Sequence, residues 1–114
     1  MNPGAMGNTM APEEDFEIEE TGERFVWDAN KDTKNREKHG ISFMEALSVF
    51  ADPRGIELEN VKHSTQRERR FLRIGKMKSG EIITVSYMWK DGVRRIITAH
   101  RNRFWRKVYE KENP

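Results

Sequence analysis

Apolar residues recur along this chain in short runs whose period changes twice. In Arg24-Phe25-Val26-Trp27-Asp28 the aromatics sit two apart, as on a strand with one buried face. The period then lengthens. Asp28 or Asn30 can cap a polar helix running from Lys31 to His39, which Gly40 would end. A second helix is signed more strongly: Ser42-x-x-Glu45 is a capping box, Ile41 before it can staple onto Ala46, and Phe43, Ala46, Leu47 and Phe50 fall at i, i+3, i+4 and i+7. Asp52-Pro53 stops that helix, because the proline ring disfavours helical backbone before it. Alternation then returns in strands expected at 56–61, 68–76, 81–89 and 93–99, joined by Lys78-Ser79-Gly80 and Lys90-Asp91-Gly92. Strand 81–89 carries Ile83, Val85, Tyr87 and Trp89 on one face and Ile82, Thr84, Ser86 and Met88 on the other, so both faces are at least partly covered. A last helix is expected over 102–111, capped by Asn102, with Phe104/Val108 and Trp105/Tyr109 as i, i+4 pairs. The pattern predicts an α+β fold: an antiparallel meander sheet of four to five strands with two N-terminal helices and one C-terminal helix.

The first 22 residues break this order. They combine Met, Asn, Pro and Gly with the acids Glu13, Glu14, Asp15, Glu17, Glu19 and Glu20, and hold no sustained period, which predicts a flexible acidic tail over 1–22 and a folded domain over 23–114. The opening Met1-Asn2-Pro3-Gly4-Ala5-Met6-Gly7 reads as a tag remnant, extending to residue 9 if Met10 is the natural start. A chain of 114 residues is one domain, and with 35% apolar and 35% charged residues its core is thin. The absence of cysteine excludes disulfides and thiolate metal sites. No apolar run approaches the ~20 residues of a membrane helix, and the N-terminus lacks the basic-then-apolar order of a secretory signal, so a cytoplasmic location without membrane partners is expected.

Charge changes the picture most. The net charge of +2 conceals a split: residues 1–60 carry 6 Lys/Arg against 14 Asp/Glu, and residues 61–114 carry 15 against 5. A small domain with so basic a half suits a polyanion, and nucleic acid is the abundant one, although a solvated face with scattered counter-charges gives the same count. The three histidines lack ligand spacing, no carboxylate cluster lies in the basic half, and no Gly-rich phosphate loop is present, so neither metal nor cofactor is expected.

Taken together, Phe25-x-Trp27-Asp28, Lys31 with Asn35, Lys38-His39-Gly40-Ile41-Ser42-Phe43-x-Glu45-Ala46, Asp52-Pro53, His63-Ser64, Glu68-x-Arg70-Phe71-x-x-Ile74-Gly75 and Arg95-Ile96-Ile97-Thr98-Ala99 resemble the BrnT family of type II toxins, with Tyr109 a further match. The resemblance implies a RelE-like fold, with helices on one face of an antiparallel sheet, and an endoribonuclease that cleaves mRNA without a metal and inhibits translation. It also implies a ribbon-helix-helix antitoxin similar to BrnA, with two toxins in a heterotetramer. The chain departs from the family pattern at Lys90 and His100, where arginine is usual, and near Trp105, where the last helix is one residue shorter and lacks the usual acid. Lysine keeps the charge but loses the two-pronged grip on phosphate, and neutral histidine loses the charge as well.

Cleavage through the ribose 2′-hydroxyl needs a base, an acid and cations for the phosphorane charge. The candidates for this chemistry are His63, Arg70, Lys90, Arg95 and His100, and those for holding RNA are Arg73, Tyr87, Arg94, Arg101 and Arg103. Each has a plainer reading. His63-Ser64 can simply bond backbone in a turn, Tyr87 and Trp89 can pack under a helix, and Glu68 can pair with Arg70. Arg70 and Arg73, three apart on one strand, fall on opposite faces. His39 reads as structural, at a helix C-terminus that favours imidazolium. The alternative to a nuclease is a non-catalytic module of the same fold that binds nucleic acid or an antitoxin-like partner. A DNA-binding regulator finds no helix-turn-helix to support it.

Overall fold

The computed structural model describes residues 12–18 and 21–114. In chain order these form β1 (Glu13–Ile18), β2 (Glu23–Asp28), α1 (Ala29–His39), α2 (Phe43–Ala46) leading into a 3-10 turn (Leu47–Ala51), β3 (Ile56–Glu59), a second 3-10 turn (Val61–His63), β4 (Arg69–Lys76), β5 (Ile82–Lys90), β6 (Val93–His100) and α3 (Arg103–Glu112). The α+β class stands. The sheet, however, has six strands in the order β1-β2-β6-β5-β4-β3, and it is mixed: β2 runs parallel to β6 while every other pair is antiparallel. Local pattern predicted the meander β3-β4-β5-β6; it carries no signal for Phe25 finding Arg94 across the whole domain.

The expected acidic tail also needs correction. Residues 13–18 are a strand that pairs in full with β2, from Glu13 opposite Asp28 to Ile18 opposite Glu23. Phe16 and Ile18, two apart, gave the alternation, but the surrounding acids masked it. The tag remnant at 1–9 and the rest of the tail before residue 12 lie outside the described residues.

α1 begins where expected. The Asp28 side chain accepts from the backbone N–H groups of Asn30 and Lys31, and the chain leaves the helix at Gly40 with φ 69°. α1 lies where β2 stops, and the buried Asn35 amide takes the place of a strand: its Nδ2 donates to the Ala99 carbonyl at 2.8 Å and its Oδ1 accepts from the Ala99 N–H at 3.1 Å. The backbone of Ala99 on β6 is thus satisfied without a strand beside it.

The second expected helix is shorter than its period suggests. The capping box at Ser42 and Glu45 forms as read, but only one α-helical turn follows before the backbone tightens into the 3-10 turn. Asp52, forced out of the helical region by Pro53, sits extended at φ −73°, ψ 112°. The tightened turn presses Val49 onto β4 at Gly75, where a Cβ would come within 2.9 Å of the Val49 Cβ. Only glycine admits that approach.

Phe25, Trp27, Ile41, Phe43, Ala46, Leu47, Val49, Ile83, Val85, Tyr87, Ile96 and Ala99 make the main core between the sheet and the α1–α2 segment. α3 takes the other face, where it packs against β4 and β5 and covers Ile74 and Thr84, which lie opposite each other and are buried. The implied one-faced arrangement therefore becomes three layers. Tyr109 fastens α3 at its far end, its hydroxyl donating to Asp52 Oδ2 at 2.6 Å.

Candidate nucleic-acid interface

α3 covers only part of its face. Strand alternation and register set Arg70, Met88 and Arg95 in one row across β4, β5 and β6, with Lys90 two residues further along β5 on the same side. The next row, Ser86 with Leu72 and Thr98, is half-buried. Two arginines thus stand on either side of a methionine, with side chains 36% and 23% exposed, on a surface that is open but not fully solvated. Neighbouring strands are about 4.8 Å apart, so the two arginines span roughly 10 Å at the backbone, within reach of a single phosphate for side chains of this length.

The loop between β3 and β4 forms a rim beside Arg70. Ser64 Oγ accepts from the Arg70 N–H at 2.8 Å and donates to the Asn60 carbonyl at 2.9 Å, and the Asn60 N–H donates to the Arg70 carbonyl at 2.7 Å. His63, next to this anchor, is exposed at the end of the 3-10 turn. The backbone reading therefore fits Ser64 and leaves the His63 imidazole facing solvent. Glu68 and Arg70 do approach, at 3.9 Å, a loose contact on the surface.

The remaining candidates are elsewhere. Tyr87, Arg73 and Arg94 lie on the helix-covered face. Tyr87 is wholly buried, with its ring stacked at 5.5 Å from Phe71 and edge-on to Phe50 and Trp89, so it offers no platform to an incoming base. Burial, with the Glu57 carboxylate adding to it, pushes the Tyr87 phenol up to about 12 and leaves it a poor proton donor at neutral pH. Arg73 is spent within the fold, donating to the Val49 carbonyl at 3.1 Å and the Asp52 carbonyl at 2.9 Å. Arg94 lies 4.4 Å over the Trp89 ring and pairs with Glu23 at 2.7 Å. These three are framework residues in this conformation.

His100 stands opposite Thr84, four residues along β5 from Met88, or about 13 Å at the rise of a strand. Its ring is 5.7 Å from that of His39, and burial, together with the charges of His39 and Lys38, lowers its pKa, so it is neutral at pH 7. The sheet does not bring it to Arg70 and Arg95. Arg101 bridges three elements: it pairs with Glu81 and donates to the His39 carbonyl at 2.6 Å. Arg103 is exposed at the start of α3, beside Arg106 and Glu110 in a shallow polar groove.

Sequence reasoning missed the partner of Arg95. Glu13, assigned to the tail, forms an ion pair with its guanidinium. Among the described residues no three His, Asp or Glu side chains converge as a metal site would, and no helix is long and apolar enough to cross a membrane.

A mixed sheet that sets Arg70, Lys90 and Arg95 on one open face, beside a loop bearing His63, suits a protein that grips a phosphodiester. Residues 27–103 match the family model described as "Ribonuclease toxin, BrnT, of type II toxin-antitoxin system". The chain belongs to this family. At the family level it is a ribonuclease toxin with RNA as substrate and an antitoxin as partner. No curated protein matches it.

Proposed function

We propose that the open face is the site of a metal-independent endoribonuclease that cleaves mRNA and so inhibits translation. The observation that carries this reading is the row Arg70, Met88 and Arg95, two partly buried cations held in register on a rigid sheet. His63 takes the proton from the ribose 2′-hydroxyl as its oxygen bonds to phosphorus. The bond to the 5′-oxygen breaks, that oxygen gains a proton, and a 2′,3′-cyclic phosphate remains. Arg70 and Arg95 stabilise the phosphorane, and Lys90 adds a point charge and a proton donor on the same side. The toxin acts in the cytoplasm, where a ribbon-helix-helix antitoxin similar to BrnA silences it in an assembly containing two toxins.

The test is a cleavage assay in EDTA on folded proteins. Wild type should cut RNA, His63→Ala should slow cutting by roughly 100-fold while leaving RNA binding nearly unchanged, and Arg70→Ala or Arg95→Ala should weaken both. Lys90→Arg should raise the rate by restoring the guanidinium fork. A second reading, a non-catalytic module that binds nucleic acid or an antitoxin-like partner, is favoured by the distance of His100 from the row and by the Glu13 carboxylate on Arg95. It takes over if wild type and Lys90→Arg are both inert while folded.

A further inference from the structure

β1 lies ahead of residues 27–103, the part of the chain shared with the family. Four acids in six residues should repel one another and resist ordering, yet here they line a strand paired over its whole length. Alternation explains how they are accommodated. Phe16 and Ile18 turn toward the helical side, while Glu13 and Asp15 turn to the side of Arg95. Asp15 meets Arg24 at 2.9 Å, Glu13 meets Arg95, and Glu14 accepts from the Trp27 indole N–H at 3.0 Å. The strand is therefore anchored by backbone pairing and by Trp27, independently of the Glu13 contact.

A carboxylate presents an arginine with two oxygens in the spacing that a phosphodiester also presents. The Glu13 side chain is 41% exposed, so water reaches the carboxylate side of the pair and leaves it open to exchange for another anion. We infer that β1 is a built-in competitor for RNA, occupying Arg95 with Glu13 until a nucleic-acid phosphate displaces it. This inference rests on the reading of the open face as the RNA site. It makes the N-terminal strand a brake on the toxin within its own chain, acting through one cation of the catalytic row.

The full-length protein tests it. A fluorescein-labelled single-stranded RNA with 2′-O-methyl riboses, which this chemistry cannot cut, is titrated by anisotropy with wild type, Glu13→Gln, Glu17→Gln, Arg95→Ala and Glu13→Gln/Arg95→Ala. Glu17 is the control, an acid on the same strand and alternation whose loss changes net charge equally. Freeing one cation for one phosphate contact should tighten binding roughly fivefold at about 0.1 M salt for Glu13→Gln. Glu17→Gln should gain much less, and Glu13→Gln should gain nothing once Arg95 is alanine. Equal gains for Glu13→Gln and Glu17→Gln, a gain that survives Arg95→Ala, or wild type binding as tightly as Glu13→Gln would each overturn the brake and leave the RNA reading standing. Failure of every protein to bind would remove the RNA reading, and the brake with it.

Discussion

At the scale of single residues, hydrogen bonds decide which polar side chains belong to the framework. Asp52 is the clearest case. Burial works to raise its pKa, but the Tyr109 hydroxyl, the Lys76 and Arg54 N–H groups and the charge of Arg73 outweigh it and hold the carboxyl below its ordinary value of 3.8. Its partner moves the other way, as burial and then the Asp52 carboxylate push the Tyr109 phenol up to about 12. A lowered carboxyl stabilises the fold above its unfolded pKa and loses that as pH falls through the folded one; a raised phenol stabilises below its unfolded value of 10.0 and loses that as pH rises toward about 12. The bond therefore contributes fully between these limits. Tyr109→Phe should cost about 1–2 kcal/mol near pH 7 in urea unfolding, and the loss should shrink as pH falls from 3.8 through the lower pKa of the folded carboxyl. A loss that is the same at both pH values would mean that ring packing, not the hydrogen bond, holds α3. None of this pairing was legible in the sequence, because Asp52 and Tyr109 belong to different elements and meet only through the tertiary fold.

At the scale of elements, the sequence was most legible where one signal acted alone. The caps at Asp28, Ser42 and Asn102 all accept the backbone N–H groups expected of them, and the Asp91-Gly92 turn has positive φ at both residues, as a type I′ hairpin requires. Legibility failed where two signals competed. The i, i+3, i+4, i+7 spacing from Phe43 to Phe50 promised a longer α-helix, but Pro53 and the close seat on Gly75 favour the tighter turn. Gly75→Ala should therefore lower stability by about 1–3 kcal/mol by forcing Val49 off β4, with a matching drop in Tm. An unchanged Tm would mean that the 3-10 turn shifts freely. For the candidate site, alternation correctly separated Arg70 from Arg73 and gave Tyr87 its place under a helix, but it was silent on Arg94, whose role depends on what covers its face.

Over the whole molecule, charge is arranged by topology more than by the simple division of the chain in two. The acidic half does not stay apart from the basic half; β1 and β2 lay Glu13 and Glu23 along Arg95 and Arg94. The cations left to an incoming polyanion are fewer than the composition of residues 61–114 suggests. RNA affinity should still fall with salt, with a log–log slope of roughly 0.7 for each phosphate neutralised, and a slope of about 2 corresponds to Arg70, Lys90 and Arg95 acting together. A flat plot of affinity against salt would show that the open face is not the RNA-binding surface.

The parallel pairing of β2 with β6 bears on how the protein is made. Phe25 and Val26 leave the ribosome well before the strand that receives them, which contains Arg94 and Arg95, has been synthesised. Closing so long a loop is slow compared with forming the hairpins between. A nascent chain can build the meander as far as β5, yet it holds only one arginine of the row and leaves an early apolar strand without its neighbour. Translation that stops short of β6 yields a fragment with Arg70 but without Arg95, so the row of two cations exists only once β6 has been made and has paired with β5.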